Sequence, residues 1–328
     1  IGFIISRIIF RSKILKNFTM YGLLFLVTFE MLRFALKWMP FEERKYVYPE
    51  VETVQEYRKL SSEKRFYLDT HAENAVMYSL PITDGYDPLY IGRYGEFVRF
   101  IDSGKLENGE RSLVLFPKNG KYSKKAINLL GVKYIAYRVS DGRAPWAFPY
   151  WEYPENHLKE IFTDGKYTIF ENNYASPRTY MVYNTSLESD KEKILSNLFN
   201  DKFNASSSAI VEEILGTLSG IGEAQYISKI SKYSGNSVDV MVQTPQNGLL
   251  VLSDVFYPGW KAYIDGQKTS VKRVNYIFRG IVVPRGKHTI QFKYEPESFR
   301  NGMLISMMGV FGLMTLVIMV MRYEKKGK

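Results

Sequence analysis

Few residues in this chain have types and spacings that could do chemistry. The sharpest pattern is Tyr257-Pro258-Gly259-Trp260-Lys261-Ala262-Tyr263-Ile264-Asp265-Gly266, a Pro-Gly kink followed by an aromatic-rich strand and a tight turn. Tyr257 and Trp260 could stack on the C–H face of a sugar ring. The same residues suit a core anchor, because large aromatics dominate cores. Asp84 and Asp87 bracket Gly85-Tyr86 and could offer two carboxylates to a metal or a sugar hydroxyl. Asp, Gly and Pro together are also ordinary turn chemistry. Arg178, after Pro177, could meet a phosphate. Glu30 and Arg33 stand three apart in an apolar stretch, so they share a helix face and can pair. Intramembrane ionisable residues are functional or packed against a bundle interior.

Other chemistries are excluded by composition. There is no cysteine, which removes disulfide scaffolds, zinc fingers, iron–sulfur clusters and thiol nucleophiles. Three scattered histidines, His71, His157 and His288, leave little for a metal site, and no metal or cofactor is expected. Asn184-Thr185-Ser186 and Asn204-Ala205-Ser206 fit the glycosylation sequon, which matters only in a eukaryotic secretory pathway.

The elements that position these residues begin with two apolar windows. Gly302–Met321 is twenty residues without a charge, followed by Arg322, Lys325, Lys326 and Lys328. At about 1.5 Å per residue it spans roughly 30 Å, the thickness of a bilayer's hydrocarbon core. It predicts a transmembrane helix over 301–321, with a cytoplasmic tail at 322–328. Thirteen uncharged residues from Asn17 to Phe29 open a second window, which carries Glu30, Arg33 and Lys37 and ends at Trp38-Met39-Pro40. A spanning helix is expected over 18–40, with Lys37 snorkelling and Trp38 as interfacial anchor; an amphipathic interfacial helix is the alternative. Residues 1–10 (IGFIISRIIF) read as the tail of another membrane helix, so 1–17 should be its end plus a loop. The start at Ile1, not Met, predicts a fragment of a longer protein.

Charge follows these windows. The net charge of +10 first suggests nucleic acid or an anionic membrane. Residues 1–16 carry four basic and no acidic residues, and 322–328 carry four basic and one acidic, so most of the surplus flanks the helices. By the positive-inside rule both flanks are expected in the cytoplasm and the segment between the helices outside it. Nucleic acid is thereby set aside as a partner. No small-residue cleavage site follows the first helix, which argues against a cleavable signal peptide.

The central segment is expected to be α+β in two parts. In 41–183 a mixed α/β subdomain is indicated. Arg65–Thr70, Ser112–Phe116 and Val132–Arg138 read as strands, and Tyr90–Ser103 and Tyr122–Leu130 as helices, the second stopped by Gly131. Glu160–Asn172 reads as a hairpin about Asp164-Gly165. In 184–298 an antiparallel β-sandwich is expected. Leu187–Asn204 begins it as a short helix plus polar loop, and Ala209–Leu215 is ambiguous between helix and strand. Val238, Val240 and Val242 share one face of the next strand, and turns are expected at Asn247-Gly248, Asp265-Gly266 and Pro284–Lys287.

The stretch LLVLSDVFYPGWKAYIDGQKTSVKRVNYIFRGIVVPRGKHTIQFKYEPESFRNGM resembles the C-terminal signature of YfhO-family bacterial membrane proteins. It pairs a Tyr-Pro-Gly-Trp-Lys-Ala strand with an Asp-Gly turn, a Gly-Lys-His strand and a Tyr-x-Pro that leads into the last membrane helix. Upstream, Asp84–Leu89, Leu130–Tyr134, Phe170–Asn172 and Ala175–Arg178 match in the same order. The resemblance implies a polytopic protein of the bacterial cell membrane, similar to GT-C-type glycosyltransferases. Such enzymes use polyprenyl-phosphate-linked sugars, here to decorate cell-envelope glycopolymers such as lipoteichoic acid. Partners implied are membrane lipid, the lipid-linked donor and the glycopolymer acceptor. In GT-C enzymes the catalytic acidic residue sits in the first extracytoplasmic loop. No catalytic residue is therefore assigned in this chain, and the chain alone is expected to be inactive. A non-catalytic glycan-binding or scaffold domain is the alternative.

Overall fold

The computed structural model describes residues 13–38, 43, 46, 49–60, 65–68, 75–76, 78–110, 113–139, 147–216, 218 and 224–326. The apolar run 1–10, Arg7, Arg11, Pro40, Asp69, Thr70, His71 and Lys328 lie outside the described residues. The chain divides into two units, Ile1–Val51 and Glu52–Lys328.

In the first unit α1 (Lys13–Trp38) is 26 residues long, which at about 1.5 Å per residue exceeds the bilayer's hydrocarbon core. It takes in Lys13 and Lys16 ahead of its apolar window. Apolar side chains are exposed all round it, among them Phe18, Leu24, Phe25 and Met31. A helix apolar on every side requires an apolar surrounding. Arg33 pairs with Glu30 at 2.8 Å, one turn away on the same face.

The second unit mixes helices with several sheets. Its elements are α2 (Glu52–Leu60), β1 (Arg65–Leu68), β2 (Gly85–Tyr86), α3 (Gly92–Ser103), β3 (Leu113–Val114), α4 (Ser123–Leu129) and β4 (Val132–Arg138). These are followed by β5 (Leu158–Thr163), β6 (Tyr167–Asn172), β7 (Thr179–Val182), β8 (Asn184–Leu187), α5 (Lys191–Leu198) and β9 (Ser208–Val211). The chain continues through β10 (Ile227–Ser234), β11 (Ser237–Thr244), β12 (Gly248–Val255), β13 (Trp260–Ile264) and β14 (Gln267–Thr269). It closes with β15 (Lys272–Val274), β16 (Phe278–Val283), β17 (Gly286–Tyr294) and α6 (Glu297–Lys326). One four-stranded sheet has the order β1-β4-β6-β5, with β1 parallel to β4. A six-stranded sheet runs β7-β12-β16-β15-β9-β8, and a five-stranded sheet runs β10-β11-β17-β13-β14.

The six-stranded sheet is the middle layer. Leu249 and Val251 of β12 join a core with Phe97 and Phe100 of α3, Ile127 of α4, Ile135 of β4 and Ile194 of α5. Leu250 and Leu252, on the opposite face, join a second core with Val238, Val240, Ile290 and Phe292 of the five-stranded sheet. A strand buried on both faces reads as an unbroken apolar run, which is why LLVL lacks polar alternation. Strands on both sides of residue 183, β7 and β8, enter this same sheet.

Several expected elements form where the sequence places them. Gly131 adopts φ +65 just after α4, and a Cβ there would stand 2.8 Å from the Ser176 carbonyl oxygen, so a glycine is required. The β5–β6 hairpin turns at Asp164-Gly165, and Asp265 and Gly266 both take positive φ in the β13–β14 turn. Ala209–Leu215 resolves as strand at its start, β9. Two turns differ from the expected hairpins. β11 pairs with β10 and β17, not with β12 across Asn247-Gly248. β16 and β17 likewise sit in different sheets on either side of Pro284–Lys287. Both connections carry the chain between layers, and the Asn247 carboxamide oxygen accepts from the Arg285 backbone N–H at 2.9 Å, tying them together.

α6 starts at Glu297, earlier than the apolar window, directly after Pro296. The acidic residue in its first turn complements the helix dipole. Among the described residues, Ile14–Trp38 and Glu297–Met319 are long and apolar enough to cross a membrane.

Candidate functional site

The charged residue that organises the second unit is Asp254, near the end of β12. The ladder between β12 and β16 pairs Leu252 with Arg279 and then Val255 with Phe278, so Ser253 and Asp254 bulge out of it. A bulge re-aims side chains. Here it carries Asp254 to a buried position where three arginines from separate elements converge. Arg65, opening β1, donates from Nη2 to Asp254 Oδ1 at 3.1 Å and to the Ser253 carbonyl at 2.9 Å, and from Nη1 to the Leu130 carbonyl. Arg178, just before β7, donates from Nη2 to Asp254 Oδ1 and to the Tyr233 hydroxyl at 2.9 Å. Arg279 of β16 brings Nη2 to 4.0 Å from Asp254 Oδ2 and donates from Nε to the Val255 carbonyl at 3.0 Å. The Tyr233 hydroxyl donates to Asp254 Oδ2 at 3.3 Å.

The electrostatics follow from this crowding. Burial opposes the charge of Asp254, and the Arg178, Arg65 and Arg279 guanidiniums outweigh it, holding the carboxyl below the usual carboxylate range. Burial pulls Arg65 and Arg279 down to about 10, so both stay charged at neutral pH. Burial also opposes the charge of Arg178, but Asp254 and Tyr233 raise it overall.

This cluster forms the floor of an open groove of 470 Å³. One wall is the β10–β11 hairpin, with Tyr233, Asn236 and Val238; the other is aromatic, with Tyr257, Trp260 and Tyr294. Trp260 and Tyr294 are cross-strand partners on β13 and β17, with ring centroids 5.5 Å apart. Tyr257 packs on Tyr294 at 6.3 Å and keeps 44% of its surface exposed. The Arg279 guanidinium lies 3.6 Å from the Trp260 ring centre. Gly259, at φ +105, makes the kink that sets Tyr257 beside Trp260; its carbonyl accepts from the Glu295 N–H at 2.8 Å. Charge on the floor and aromatic rings on a wall suit a ligand with an anionic group and an apolar or sugar face.

Tyr257 and Trp260 thus line one groove, with Arg178 buried behind it. Asp84 and Asp87 do not line it. Asp84 Oδ1 accepts from the Phe116 backbone N–H at 2.8 Å and from the Thr83 hydroxyl at 3.1 Å. Asp87 Oδ1 accepts from the Leu89 N–H at 2.6 Å, an Asx turn. Glu30 and Arg33 belong to α1 in the other unit. His157 faces Asn128, and His288 meets Asp265 at 2.7 Å in the β13–β14 region. Among the described residues, no group of three or more His, Asp or Glu is placed to hold a metal.

Sequence reasoning missed Arg65, Tyr233, Asp254, Arg279 and Tyr294. A signal existed for two of them. Asp254 interrupts the apolar run LLVLSDVF and Arg279 interrupts IFRGIVV, and a charge in a buried strand needs a partner.

Residues 221–306 match the family model described as bacterial membrane protein YfhO. That stretch holds Tyr233, Asp254, Tyr257, Trp260, Arg279 and Tyr294, and leaves Arg65 and Arg178 outside. Over 240 residues the chain is 21% identical to "Uncharacterized protein YfhO" of Bacillus subtilis (strain 168), covering 69% of this chain and 27% of that protein. No solved structure matches. The match and the two apolar helices point to association with a bacterial membrane. Among such proteins the chain is similar to the YfhO family, by the family model over residues 221–306 and by the relative over 240 residues. It spans about a quarter of the length of the curated relative it matches.

Proposed function

We propose that this chain is the extracytoplasmic, glycan-facing region of a polytopic YfhO-like glycosyltransferase. The whole protein would transfer sugar from a polyprenyl-phosphate carrier to a cell-envelope glycopolymer such as lipoteichoic acid, with the catalytic loop in a part that this chain does not contain. In this reading the six- and five-stranded sheets form a β-sandwich, and residues 41–300 lie outside the cytoplasm between cytoplasmic flanks. The observation that carries it is the groove: aromatic walls at Tyr257, Trp260 and Tyr294 suit a sugar ring, and its last wall residue stands three positions before α6. The flanking basic residues support the orientation.

The test is reconstitution of the full-length protein in proteoliposomes with a panel of polyprenyl-phosphate sugars and a glycopolymer acceptor. Sugar transfer is the expected result, and none across the panel overturns the enzyme reading. Partial exposure of Tyr257 also favours a second reading, a glycan-binding module without transfer. Glycan binding by the intact protein in the absence of transfer would favour that one.

A further inference from the structure

We propose that the groove is a phosphoryl-anion site, with Arg279 and Arg65 holding the anion and the aromatic wall holding the carbohydrate or glycerol attached to it. This deepens the reading above by naming the group recognised, and it does not require transfer activity. Three observations carry it.

The first is charge. Among the described residues Asp254 is the only carboxylate within 4.0 Å of Arg65 or of Arg279. Leaving Arg178 aside, two guanidiniums therefore share one carboxylate, and both line the groove. A positive charge held at the floor of a groove is stabilised by an entering anion, and guanidinium matches phosphate oxygens in geometry as well as sign. A purely structural tie would instead be expected to balance its charges, because unpaired buried charge is costly.

The second is an unused donor. Arg279 is 5% exposed, and its Nη1 has no hydrogen-bond acceptor, although Nε and Nη2 are engaged. Buried donors are normally satisfied, so an idle one at the floor of a groove marks a place for an acceptor. Nη1 itself is buried, so an anion would reach it only if the side chains covering it move. Trp260 stacks on this guanidinium and fixes its plane.

The third is position. Tyr294 ends β17, and only Glu295 and Pro296 separate it from α6. From Glu297 to Gly302, where the uncharged run begins, is five residues, about 8 Å of helix. The groove is therefore tethered close to a helix able to cross the bilayer, within reach of a phosphate carried on a lipid. A phosphodiester of a surface polymer carries the same chemistry.

The experiment uses the full chain in detergent and in nanodiscs. Inorganic phosphate and glycerol 1-phosphate are titrated by calorimetry, and nanodiscs with and without polyprenyl phosphate are compared. Arg279→Gln should weaken phosphate binding by about ten- to a hundredfold, the worth of a charged hydrogen bond. Arg279→Lys should recover part of it. Tyr257→Ala, at an exposed ring, should weaken glycerol 1-phosphate more than inorganic phosphate. If Arg279→Gln does not fold, the Tyr257→Ala comparison alone decides. Tighter binding with polyprenyl phosphate identifies the lipid as source; binding of the soluble probes alone identifies the polymer. No phosphate binding by the folded wild type, or unchanged binding by a folded Arg279→Gln, overturns the proposal. Phosphate binding without sugar transfer sustains it while overturning the enzyme reading.

Discussion

Arg279 lies 3.6 Å above the ring centre of Trp260, and the two sit on strands of different sheets, β16 and β13. The contact adds a cation–π pair at the edge of the groove to the core that already joins the two sheets. Replacing Trp260 with Ala should cost about 2–3 kcal/mol, from lost aromatic burial and the lost cation–π contact. Trp260→Phe should cost less than half as much. Urea unfolding of the solubilised chain, followed by circular dichroism, measures both.

Asp254 faces Arg65, Arg178, Arg279 and Tyr233, so its removal exposes several positive groups to one another. Asp254→Asn should destabilise the second unit by about 3–5 kcal/mol, as breaking buried ion pairs does. The pH dependence has a definite sign. The folded carboxyl titrates below its unfolded value, so its contribution is present above the unfolded value and is lost as pH falls through the lowered folded one. Acid unfolding of the wild type should therefore steepen below about pH 4, the ordinary carboxylate range. Asp254→Asn should flatten that slope, and an equal slope in both proteins would contradict the assignment.

Gly131 holds φ +65 against the Ser176 carbonyl. Gly131→Ala should lower stability by at least about 1–2 kcal/mol, the cost of a left-handed conformation with a Cβ. The close approach to a backbone oxygen adds to this. A shift in thermal midpoint is the readout, and an unchanged midpoint would count against the local geometry.

The absence of cysteine makes topology directly measurable. Lys268→Cys, exposed on β14, should react with a membrane-impermeant maleimide in intact cells. Tyr323→Cys, at the far end of α6, should react only after permeabilisation. The opposite pattern would invert the proposed orientation.

Glu30 and Arg33 pair within α1 at 2.8 Å. Glu30→Leu leaves Arg33 without its ion-pair partner, and the inserted fraction should fall, since an unpaired Arg costs up to about 2.5–3.5 kcal/mol at a helix centre. The double Glu30→Leu/Arg33→Leu change should restore it. Protease protection of the full chain in membranes reads the difference.

Local features of this fold were legible in the sequence because local chemistry decides them. The Asp164-Gly165 hairpin, the stop at Gly131 and the buried valines of β11 each depend on residues within a few positions. The Asn247-Gly248 and Pro284–Lys287 turns misled because alternation reports which face a residue occupies, not which strand lies beside it. The groove was only half visible. Tyr257 and Trp260 announce themselves as a motif, whereas Arg65 meets Asp254 across 189 positions of chain. Only the stacking of three sheets brings them together.

The junction of β17 and α6 has a mechanical consequence. Two residues bridge strand and helix, and one of them, Glu295, is pinned by its N–H to the Gly259 carbonyl. Two extended residues reach at most about 7 Å, so the aromatic wall cannot drift from the helix end. With α6 in a bilayer, as proposed, the joint would work as a ruler: it would set the height of the groove above the surface, and a lengthened linker would lift that height residue by residue.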